Sequence, residues 1–413
     1  MDYKIADRAL APSGKKKIRW AKQYMPVLRL LEVKYRKEQP LAGTVISACL
    51  HLEAKTACLL ILLKDLGAKV TAAGSNPLST QDDICAALVE NGVSVFSRHG
   101  MTTEEYFENV RSTLSVKPSI IVDDGADLVA TVHSEMRDLL PGIRGGSEET
   151  TSGVKRLKSM ANGSVLAFPM ISVNDAHSKY LFDNRYGTGQ SVMDGILRTT
   201  NMLVAGKNVV IAGYGWCGRG VAMRASAMGA RVIVTEIDPH RAFEALMDGY
   251  EVASMDDAAS RGDIFLTLTG NTRVIRREHF GKMKDGVLLG NAGHFDVEIC
   301  KPDLLDLASS VEESRPGVET YTLKDGRRIH LLGEGRLVNL ACADGHPIEI
   351  MDLSFALQLE SAVFLAKNTL KPGLYDVPGV IDRAVMEAKL ASLNIRLDRM
   401  TPEQEEYMKS WVE

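Results

Sequence analysis

The sequence predicts an α/β protein with two Rossmann-like, doubly wound parallel-sheet domains and a small helical C-terminal segment. Short apolar runs alternate with helix-length amphipathic segments, which is typical of βαβ units. The alternation occurs in two successive series, and a glycine-rich motif follows the first strand of the second series. The length of 413 residues fits this organisation, because domains hold roughly 100–200 residues each.

The first series runs from Gly43 to about Val173. Its strands are short and apolar throughout, as expected for parallel strands covered on both faces. We expect strands at 44–49, 69–73, 94–97, 119–122 and 165–171, with helices at 54–66, 82–91, 104–114 and 153–161.

The second series begins near Lys207 and has the same pattern. We expect strands at 208–212, 231–235, 264–268 and 286–289, with helices at 218–228 and 242–248. From Ile381 onward the sequence predicts helix, ending in a polar segment with a few apolar side chains that suits packing or dimer contact.

The composition excludes several other classes of protein. The chain is 45% hydrophobic and 25% charged, which is too apolar for a disordered protein. Its formal net charge of −4, from 49 basic and 53 acidic residues, lacks the basic footprint of nucleic-acid binding. No apolar run reaches the ~18–20 residues of a membrane span, and the N-terminus lacks the apolar stretch of a signal peptide.

The cysteines predict a reducing environment. They lie at positions 49, 58, 85, 217, 300 and 342, and no two form a C-x-x-C pair. A long chain with so few cysteines is not a disulfide framework, and the spacing does not match a structural zinc site. We therefore expect reduced thiols in a cytoplasmic protein that carries no metal.

The most specific motif is G-x-G-x-x-G, formed by Gly213, Gly215 and Gly218, followed by Gly220. It stands directly after a predicted strand and opens a predicted helix, which is the context that dinucleotide binding requires. The first glycine permits the tight turn, the second lets the backbone approach a pyrophosphate, and the third lets the helix pack on the strand. The helix N-terminus then offers free N–H groups to the phosphates.

An acidic residue in the right place favours NAD over NADP. Glu236 ends the second strand of this unit, 23 positions after Gly213. Such a carboxylate accepts hydrogen bonds from a ribose 2′-hydroxyl and repels a 2′-phosphate. A glycine-rich turn in an ordinary α/β domain is the alternative.

The first half carries polar residues where strands are predicted to end. His51 follows one strand and Asp123-Asp124-Gly125 follows another, which places them on the ligand side of an open sheet. Each has a structural alternative: Asp-Asp-Gly is a common turn, and Glu148-Glu-Thr-Thr is also a helix N-cap with acids in the first turn. Lys179 could equally be a solvated lysine. These residues alone predict an NAD-dependent enzyme acting on a small polar substrate.

Several segments are recognisable when taken together. They are Asp183-Asn-Arg-Tyr-Gly-Thr-Gly-Gln, Gly213-Tyr-Gly, Asn291-Ala-Gly-His-Phe-Asp, Glu334-Gly-Arg-Leu-Val-Asn-Leu-Ala-Cys and Gly345-His-Pro. In this order and spacing they resemble the S-adenosylhomocysteine hydrolase family, over about residues 19–411.

The resemblance implies reversible hydrolysis of S-adenosyl-L-homocysteine to adenosine and L-homocysteine on tightly held NAD. The ribose 3′-hydroxyl is oxidised, the C4′ proton becomes acidic and is removed, the thiol leaves, water adds, and the ketone is reduced again. Such chemistry needs a hydride acceptor, a base, an acid for the leaving thiolate and stabilisation of an enolate. The family also implies a homotetramer built as a dimer of dimers.

The same resemblance implies roles for individual residues. Lys179 and Asp183 match positions at the ribose 2′- and 3′-hydroxyls, where a lysine of lowered pKa would take the 3′-hydroxyl proton. Asp124 matches the position at the C4′ proton, and Glu149 matches a ribose-binding acid. His51 and His294 match histidines near C5′. These six are the expected catalytic residues.

The expected binding residues fall into two sets. The further substrate-binding set, on the purine side and at the hinge, comprises Glu53, Lys55, Ser79, Thr80, Gln81 and His346. The NAD set comprises Thr150, Thr151, Ser152, Asn184, Gly213, Gly215, Trp216, Cys217, Gly218, Arg219, Gly220, Glu236, Asn271, Ala292, Gly293, His294 and Asn339.

The sequence departs from the family pattern in three places. Glu53 and Lys55 stand where many members have Thr and Glu, which leaves the choice between adenine and hypoxanthine open. Thr188 stands where many members have Cys, which argues that this thiol is not needed for the chemistry. The sequence ends at Glu413 without the Lys/Tyr tail that reaches a neighbouring subunit's NAD, which predicts easier exchange of NAD.

We expect a substrate-binding domain of residues 1–184 and 347–380, an NAD-binding domain of residues 185–346, and an oligomerisation segment of residues 381–413. Three alternatives to adenosylhomocysteine hydrolysis remain. They are the same mechanism on S-inosyl-L-homocysteine, a catalytically inactive NAD-binding regulator, and a dehydrogenase with net oxidation of its substrate.

Overall fold

Two open sheets, each covered by helices on both faces, meet at a cleft in this computed structural model. The structure describes residues 2–411, so Met1, Val412 and Glu413, at the outer ends of the first and last predicted segments, lie outside it. None of the helices within residues 2–411 combines the length and apolar character needed to cross a membrane.

The first sheet is built mainly from the N-terminal half. Its strands in this half are β1 Val45–Leu50, β2 Lys69–Gly74, β3 Ser94–Phe96, β4 Ile120–Asp123, β5 Gly145–Glu148 and β6 Pro169–Ser172. The helices are α1 Ala11–Gln23, α2 Pro26–Tyr35, α3 Ala54–Asp65, α4 Asp82–Glu90, α5 Thr103–Leu114, α6 Asp127–Ser134, α7 Thr151–Asn162 and α8 His177–Tyr180. A π-helical turn, Asp183–Gly187, then leads towards the second sheet.

The second sheet follows directly. Its strands are β7 Asn208–Ala212, β8 Arg231–Thr235, β9 Glu251–Val252, β10 Ile264–Thr267, β11 Val287–Asn291, β12 Ala308–Arg315, β13 Val318–Leu323 and β14 Arg328–Leu332. The helices are α9 Thr188–Thr200, α10 Trp216–Ala227, α11 Pro239–Met247, α12 Met255–Ala258, α13 Arg277–Phe280, α14 Lys301–Leu307 and α15 Val338–Ala341.

The chain then returns to the first sheet. The long helix α16, Ile348–Lys367, packs against α2, α3 and β5, and β15, Gly373–Asp376, pairs in parallel with β6. The last helices are α17 Gly379–Ser392 and α18 Pro402–Lys409, which confirms the expected helical C-terminal segment.

Both sheets have the strand order of a doubly wound fold. The first is all parallel in the order β15-β6-β5-β4-β1-β2-β3, and the second runs β12-β13-β14-β11-β10-β7-β8-β9. The order reverses at β1/β4 in the first sheet and at β7/β10 in the second, and ligands of such sheets bind beyond the carboxyl ends at that point. Buried side chains alternate between the two faces: Val209 and Ile211 enter one core cluster, and Val210 enters another.

The structure corrects two details of the predicted sheets. The second sheet is not purely parallel, because β13 pairs antiparallel with both β12 and β14. In the first sheet, β5 was not predicted, because Gly145-Gly-Ser-Glu has no β-branched residue. A Cβ on Gly146 would come within 2.8 Å of Ile121 O, so glycine is what lets this strand fit between its neighbours.

Candidate active site

A cleft of about 1170 Å³ lies between the carboxyl ends of the two sheets. Residues that follow β1, β4, β5 and β6 line one side, and residues that follow β7, β8, β10 and β11 line the other. The reversal points of both sheets therefore face the same space, which is the arrangement expected when two ligands must meet.

The glycine-rich loop has the conformation that dinucleotide binding requires. Gly213 has a φ of +99°, which favours glycine, and a Cβ on Gly218 would overlap the carbonyl oxygen of Gly213. A Cβ on Gly215 would have only Arg241 Nη1, at 3.8 Å, as a neighbour, so this residue presents open backbone at the start of α10. These features fit a pyrophosphate at the helix N-terminus.

Glu236 lines the cleft and holds this loop. Its carboxylate accepts hydrogen bonds from Tyr214 N at 2.7 Å and from Ile237 N at 2.7 Å. The carboxylate thus lies at the end of β8 beside the loop, where an adenosine ribose would be expected. Its role in binding that ribose stays a prediction.

The structure divides the predicted NAD residues into those that line the cleft and those that support it. Lining residues are Thr150, Thr151, Ser152, Asn184, Gly213, Gly215, Trp216, Cys217, Glu236, Asn271, Ala292, Gly293, His294 and Asn339. Gly218, Arg219 and Gly220 lie behind them. Arg219 pairs with Glu244 and lies over the Trp216 ring, and a Cβ on Gly220 would overlap Arg185 O.

On the other side of the cleft, Lys179, Glu149 and Asp183 form a buried group that we call the lysine cluster. Lys179 Nζ lies 3.2 Å from Asp183 Oδ1 and 3.6 Å from Glu149 Oε1, and it donates to Asn184 Oδ1 at 2.9 Å. All three charged side chains are less than one-tenth exposed. One cation therefore faces two carboxylates in a site with little water.

This environment contradicts the expected lowering of the Lys179 pKa. Burial does lower it, but the charges of Asp183 and Glu149 outweigh burial and raise the Lys179 pKa above its usual value. Burial also raises the pKa of Glu149, to about 7. Burial acts the same way on Asp183, but Lys179 and His346 overcome it and hold that pKa well below its usual value.

His51, Asp124 and His294 form a second group, the histidine cluster. Asp124 Oδ2 lies 3.3 Å from His51 Nε2, and Asp124 Oδ1 lies 3.8 Å from His294 Nδ1. His51 Nδ1 is 2.7 Å from Ser79 Oγ, and burial lowers the His51 pKa to about 4, so this imidazole is neutral at physiological pH. The ligand atoms of the cluster lie within 4.8 Å of one another, close enough to hold a metal ion. That the chain carries no metal stays a prediction.

Gly125 allows the two sheets to meet at the histidine cluster. Its φ is +108°, and a Cβ there would lie 2.5 Å from His294 Nε2. Its N–H donates to Glu148 Oε1 at 2.9 Å, and Thr150 N donates to the same oxygen at 2.9 Å. Asp124 and Gly125 lie in a bend after β4. Thr150 caps α7 as expected, but Glu148 and Glu149 precede the cap, so the expected acids are not in the first turn. Both segments carry site residues.

The predicted purine-side residues do not all reach the cleft. Glu53, Lys55 and His346 line it, whereas Ser79, Thr80 and Gln81 do not. Ser79 contacts His51, and Gln81 Oε1 accepts from Lys17 Nζ at 3.0 Å. Their proposed contact with a purine gains no support from this arrangement.

Lys55 is held at the hinge between the sheets. Lys55 Nζ lies 2.8 Å from Glu53 Oε2 and donates to Asp344 O at 2.6 Å. Glu53 caps α3 and accepts from Lys55 N at 2.9 Å and Thr56 N at 3.1 Å. His346 extends the hinge contacts, since its Nε2 lies 3.3 Å from Asp183 Oδ1.

Two supporting residues were not predicted. Ser354 Oγ donates to Asp183 Oδ2 at 2.7 Å, and Gln358 Nε2 donates to Glu149 Oε2 at 2.5 Å. Both are buried and lie one turn apart on α16. The available signal was a pair of polar side chains four residues apart in a mostly apolar helix.

Comparison with known proteins agrees with this geometry. Residues 2–141 match the family model described as S-adenosyl-L-homocysteine hydrolase, and residues 184–345 match the NAD binding domain of that hydrolase. The chain is 57% identical to an adenosylhomocysteinase from Thermococcus kodakarensis, over 99% of this chain and 98% of that one.

Relatives with a second activity are almost as similar. The chain is 55% identical to an S-inosyl-L-homocysteine hydrolase from Methanopyrus kandleri, over 100% of this chain and 98% of that one. It is 54% identical to one from Methanococcus maripaludis, over 99% of each chain. Overall identity therefore does not choose between the two purine bases.

Proposed function

The chain belongs to the S-adenosyl-L-homocysteine hydrolase family, and we propose that it hydrolyses S-adenosyl-L-homocysteine reversibly to adenosine and L-homocysteine. One observation carries this proposal: the dinucleotide loop, the lysine cluster and the histidine cluster line one cleft. A cofactor and a nucleoside can thus lie against the same set of acids and bases.

NAD is the cofactor of this enzyme, and the open loop at Gly213 and Gly215 fits its pyrophosphate. When bound, NAD would supply the acceptor for a hydride from the ribose C3′ and the donor that restores it at the end of the cycle. We propose that Glu236 holds its adenosine ribose. Replacing Glu236 with Ala should cost about 1–3 kcal/mol of NAD binding, through unpaired ribose hydroxyls. A titration with NAD and NADP, with Glu236→Gln as control, measures this; unchanged affinities would remove the role.

The histidine cluster suits the elimination half of the reaction. Asp124 removes the C4′ proton once the neighbouring carbon is a ketone, which makes that proton acidic. His51 is neutral at physiological pH and so can accept a proton from the attacking water, while His294 lies across Asp124 near the departing thiol. The approach of His294 to Asp124 and Gly125 joins the two sheets over the substrate and helps to exclude water.

S-inosyl-L-homocysteine is the second candidate substrate, because Lys55 keeps one N–H beyond its contacts with Glu53 and Asp344. A lysine has three donors and no acceptor, so a free N–H suits the carbonyl O6 of hypoxanthine rather than the amino group of adenine. The contacts of Lys55 with Glu53 and Asp344 support the opposite interpretation, that Lys55 does not contact the base.

Thiol release from the adenosyl and inosyl substrates, measured side by side, tests the reaction and the base together. We expect free thiol without net accumulation of reduced nicotinamide. Accumulation in step with turnover would indicate a dehydrogenase, and no thiol from either substrate would indicate an inactive regulator. Comparing kcat/KM for both substrates in wild type and Lys55→Gln then decides whether Lys55 selects the base, since an unchanged ratio would exclude it.

We also propose a cytoplasmic homotetramer in which the C-terminal segment that begins at residue 381 contacts a neighbouring copy. Leu397, Met400, Tyr407 and Met408 are all exposed in this segment, an apolar surface that a second chain could cover. Light scattering on the full chain and on a chain ending at Asn394 measures the mass. If both proteins assemble with the same number of chains, this segment is not the contact.

A further inference from the structure

The lysine cluster holds a proton acceptor other than the one that the resemblance suggested. We propose that Glu149, and not Lys179, accepts the proton of the ribose 3′-hydroxyl during oxidation. The inference rests on the proposed function, and it names the group that carries out its first proton transfer.

The hydrogen bonds of the two carboxylates are unequal. Asp183 receives Ser354 Oγ at 2.7 Å on one oxygen, and Lys179 Nζ at 3.2 Å and His346 Nε2 at 3.3 Å on the other. Glu149 receives Gln358 Nε2 on Oε2, whereas its Oε1 is buried and, among the described residues, has no hydrogen-bond partner. Glu149 Oε1 therefore accepts no hydrogen bond, and Lys179 Nζ lies 3.6 Å from it.

Gln358 cannot turn away from Glu149 without losing a second bond. Ser147 Oγ donates to Gln358 Oε1 at 2.6 Å, which fixes the amide so that its NH₂ group faces Glu149. The carboxylate is thus oriented from behind by α16, and its other oxygen, Oε1, is left without a hydrogen bond. Such an arrangement is what a positioned base requires.

Charge favours the same assignment. The charged groups that face Glu149 are Lys179, Asp183 and Asp124, and Gln358 is the neutral group behind it. Lys179 stays protonated between two carboxylates, so it has no lone pair to accept a proton. Burial brings the Glu149 pKa to about 7, which is suited to taking and returning a proton near neutral pH.

The step balances as follows. The O3′–H and C3′–H bonds break and a C3′=O bond forms. The proton passes to Glu149 Oε1, and the electron pair of the C3′–H bond leaves with its hydrogen as hydride to the oxidised nicotinamide. Lys179 remains a fixed cation that stabilises negative charge developing on O3′. At the end of the cycle Glu149 returns the same proton.

Rapid mixing of the NAD-loaded enzyme with adenosine tests this assignment. We expect the rate of nicotinamide reduction to rise with pH through an apparent pKa near 7 and then to level off. In Glu149→Gln the rise should disappear and the rate should fall by about 10²–10⁴-fold. A flat wild-type profile, or a Glu149→Gln rate near that of wild type, would overturn the proposal.

Lys179→Arg is the matched control, because arginine is always charged and cannot act as a base. We expect it to keep the pH profile and to lose no more than about tenfold in rate, the scale of a misplaced hydrogen bond. Loss of the pH-dependent reduction in Lys179→Arg, with its fold intact by circular dichroism, would assign the base to Lys179 instead.

An infrared difference titration of the NAD-free protein gives a readout that does not depend on turnover. In wild type we expect protonated-carboxyl intensity that is lost through neutral pH. In Glu149→Gln the part from Glu149 should be missing, while the part from buried Asp123, whose pKa burial also raises to about 7, should remain. A band unchanged by Glu149→Gln would overturn the proposal. Thiol release by wild type separates the proposed hydrolysis from the assignment of the base. If wild type releases no thiol, the proposed function itself is refuted.

Discussion

The lysine cluster and the histidine cluster lie in one cleft, but they are held in different ways. Every polar contact of the lysine cluster comes from the first sheet, its helices or the hinge, including Ser354 and Gln358 behind the carboxylates. In the histidine cluster Asp124 lies 3.3 Å from His51 Nε2 and 3.8 Å from His294 Nδ1, and His294 comes from the second sheet. The groups proposed for proton transfer in oxidation are thus preassembled, whereas the contact between His294 and Asp124 depends on the spacing between the sheets.

The largest expected effect separates the two clusters by reaction step. Asp124→Asn removes the base for the C4′ proton and should lower turnover by about 10²–10⁴-fold. Because the lysine cluster is untouched, reduced nicotinamide should still appear after substrate is added. Stopped-flow absorbance together with deuterium exchange at C4′ measures both steps. If reduction is lost along with exchange, the two clusters do not act separately.

The second prediction concerns stability and compares a buried lysine of the lysine cluster with an exposed lysine of the cleft. Lys179→Met leaves Asp183 and Glu149 buried without their cation, which should lower the free energy of unfolding by about 3–5 kcal/mol. Denaturant unfolding measures the change. Lys155, an exposed lysine of the cleft rim, offers the control: Lys155→Met should change stability by less than about 0.5 kcal/mol. Similar losses in both variants would mean that the loss of stability does not depend on burial of the lysine cluster.

The third prediction addresses the junction at Gly125. In Gly125→Ala the new Cβ meets His294 in a backbone conformation that costs about 1–3 kcal/mol for a non-glycine residue. The sheets must separate there, so elimination should slow more than oxidation. Gly100→Ala is the control, since Gly100 also has a positive φ but no atom within 4 Å of a Cβ. Equal slowing of both steps would contradict a role confined to the histidine cluster.

The smallest expected effect comes from the contact behind His51. Ser79→Ala removes the hydrogen bond to His51 Nδ1, which is worth about 0.5–1.5 kcal/mol. We expect a modest fall in kcat for hydrolysis and no change in nicotinamide reduction. Ser79→Thr keeps the hydroxyl and should restore kcat. A raised KM for adenosine with kcat unchanged would instead support the predicted contact of Ser79 with the purine.

The sequence alone predicted those secondary-structure elements that depend on one short segment of the chain. Strands such as β7 and β8 were predicted with their observed bounds, because continuous apolar runs and glycine spacing are properties of one short segment. The antiparallel strand β12 was missed, since Ala308–Arg315 is mostly exposed and polar and pairs only through β13.

Long-range contacts explain what the sequence did not predict in the site. The expected direction of the Lys179 pKa was wrong because it depends on Glu149 and Asp183, which different segments bring together. Ser354 and Gln358 lie 171 and 209 positions from the carboxylates they contact. No local pattern specifies such pairs.

The pairing of β15 with β6 means that the order of synthesis and the order of folding differ. The chain leaves the ribosome N-terminal end first, and the whole second sheet is made before α16 and β15 exist. Until then the open edge of β6 and the apolar surface that α16 will cover face the solvent, which is the kind of intermediate that aggregates or recruits chaperones. The middle of the polypeptide can therefore finish folding before its beginning does, and the lysine cluster is completed only when the last quarter of the chain has emerged.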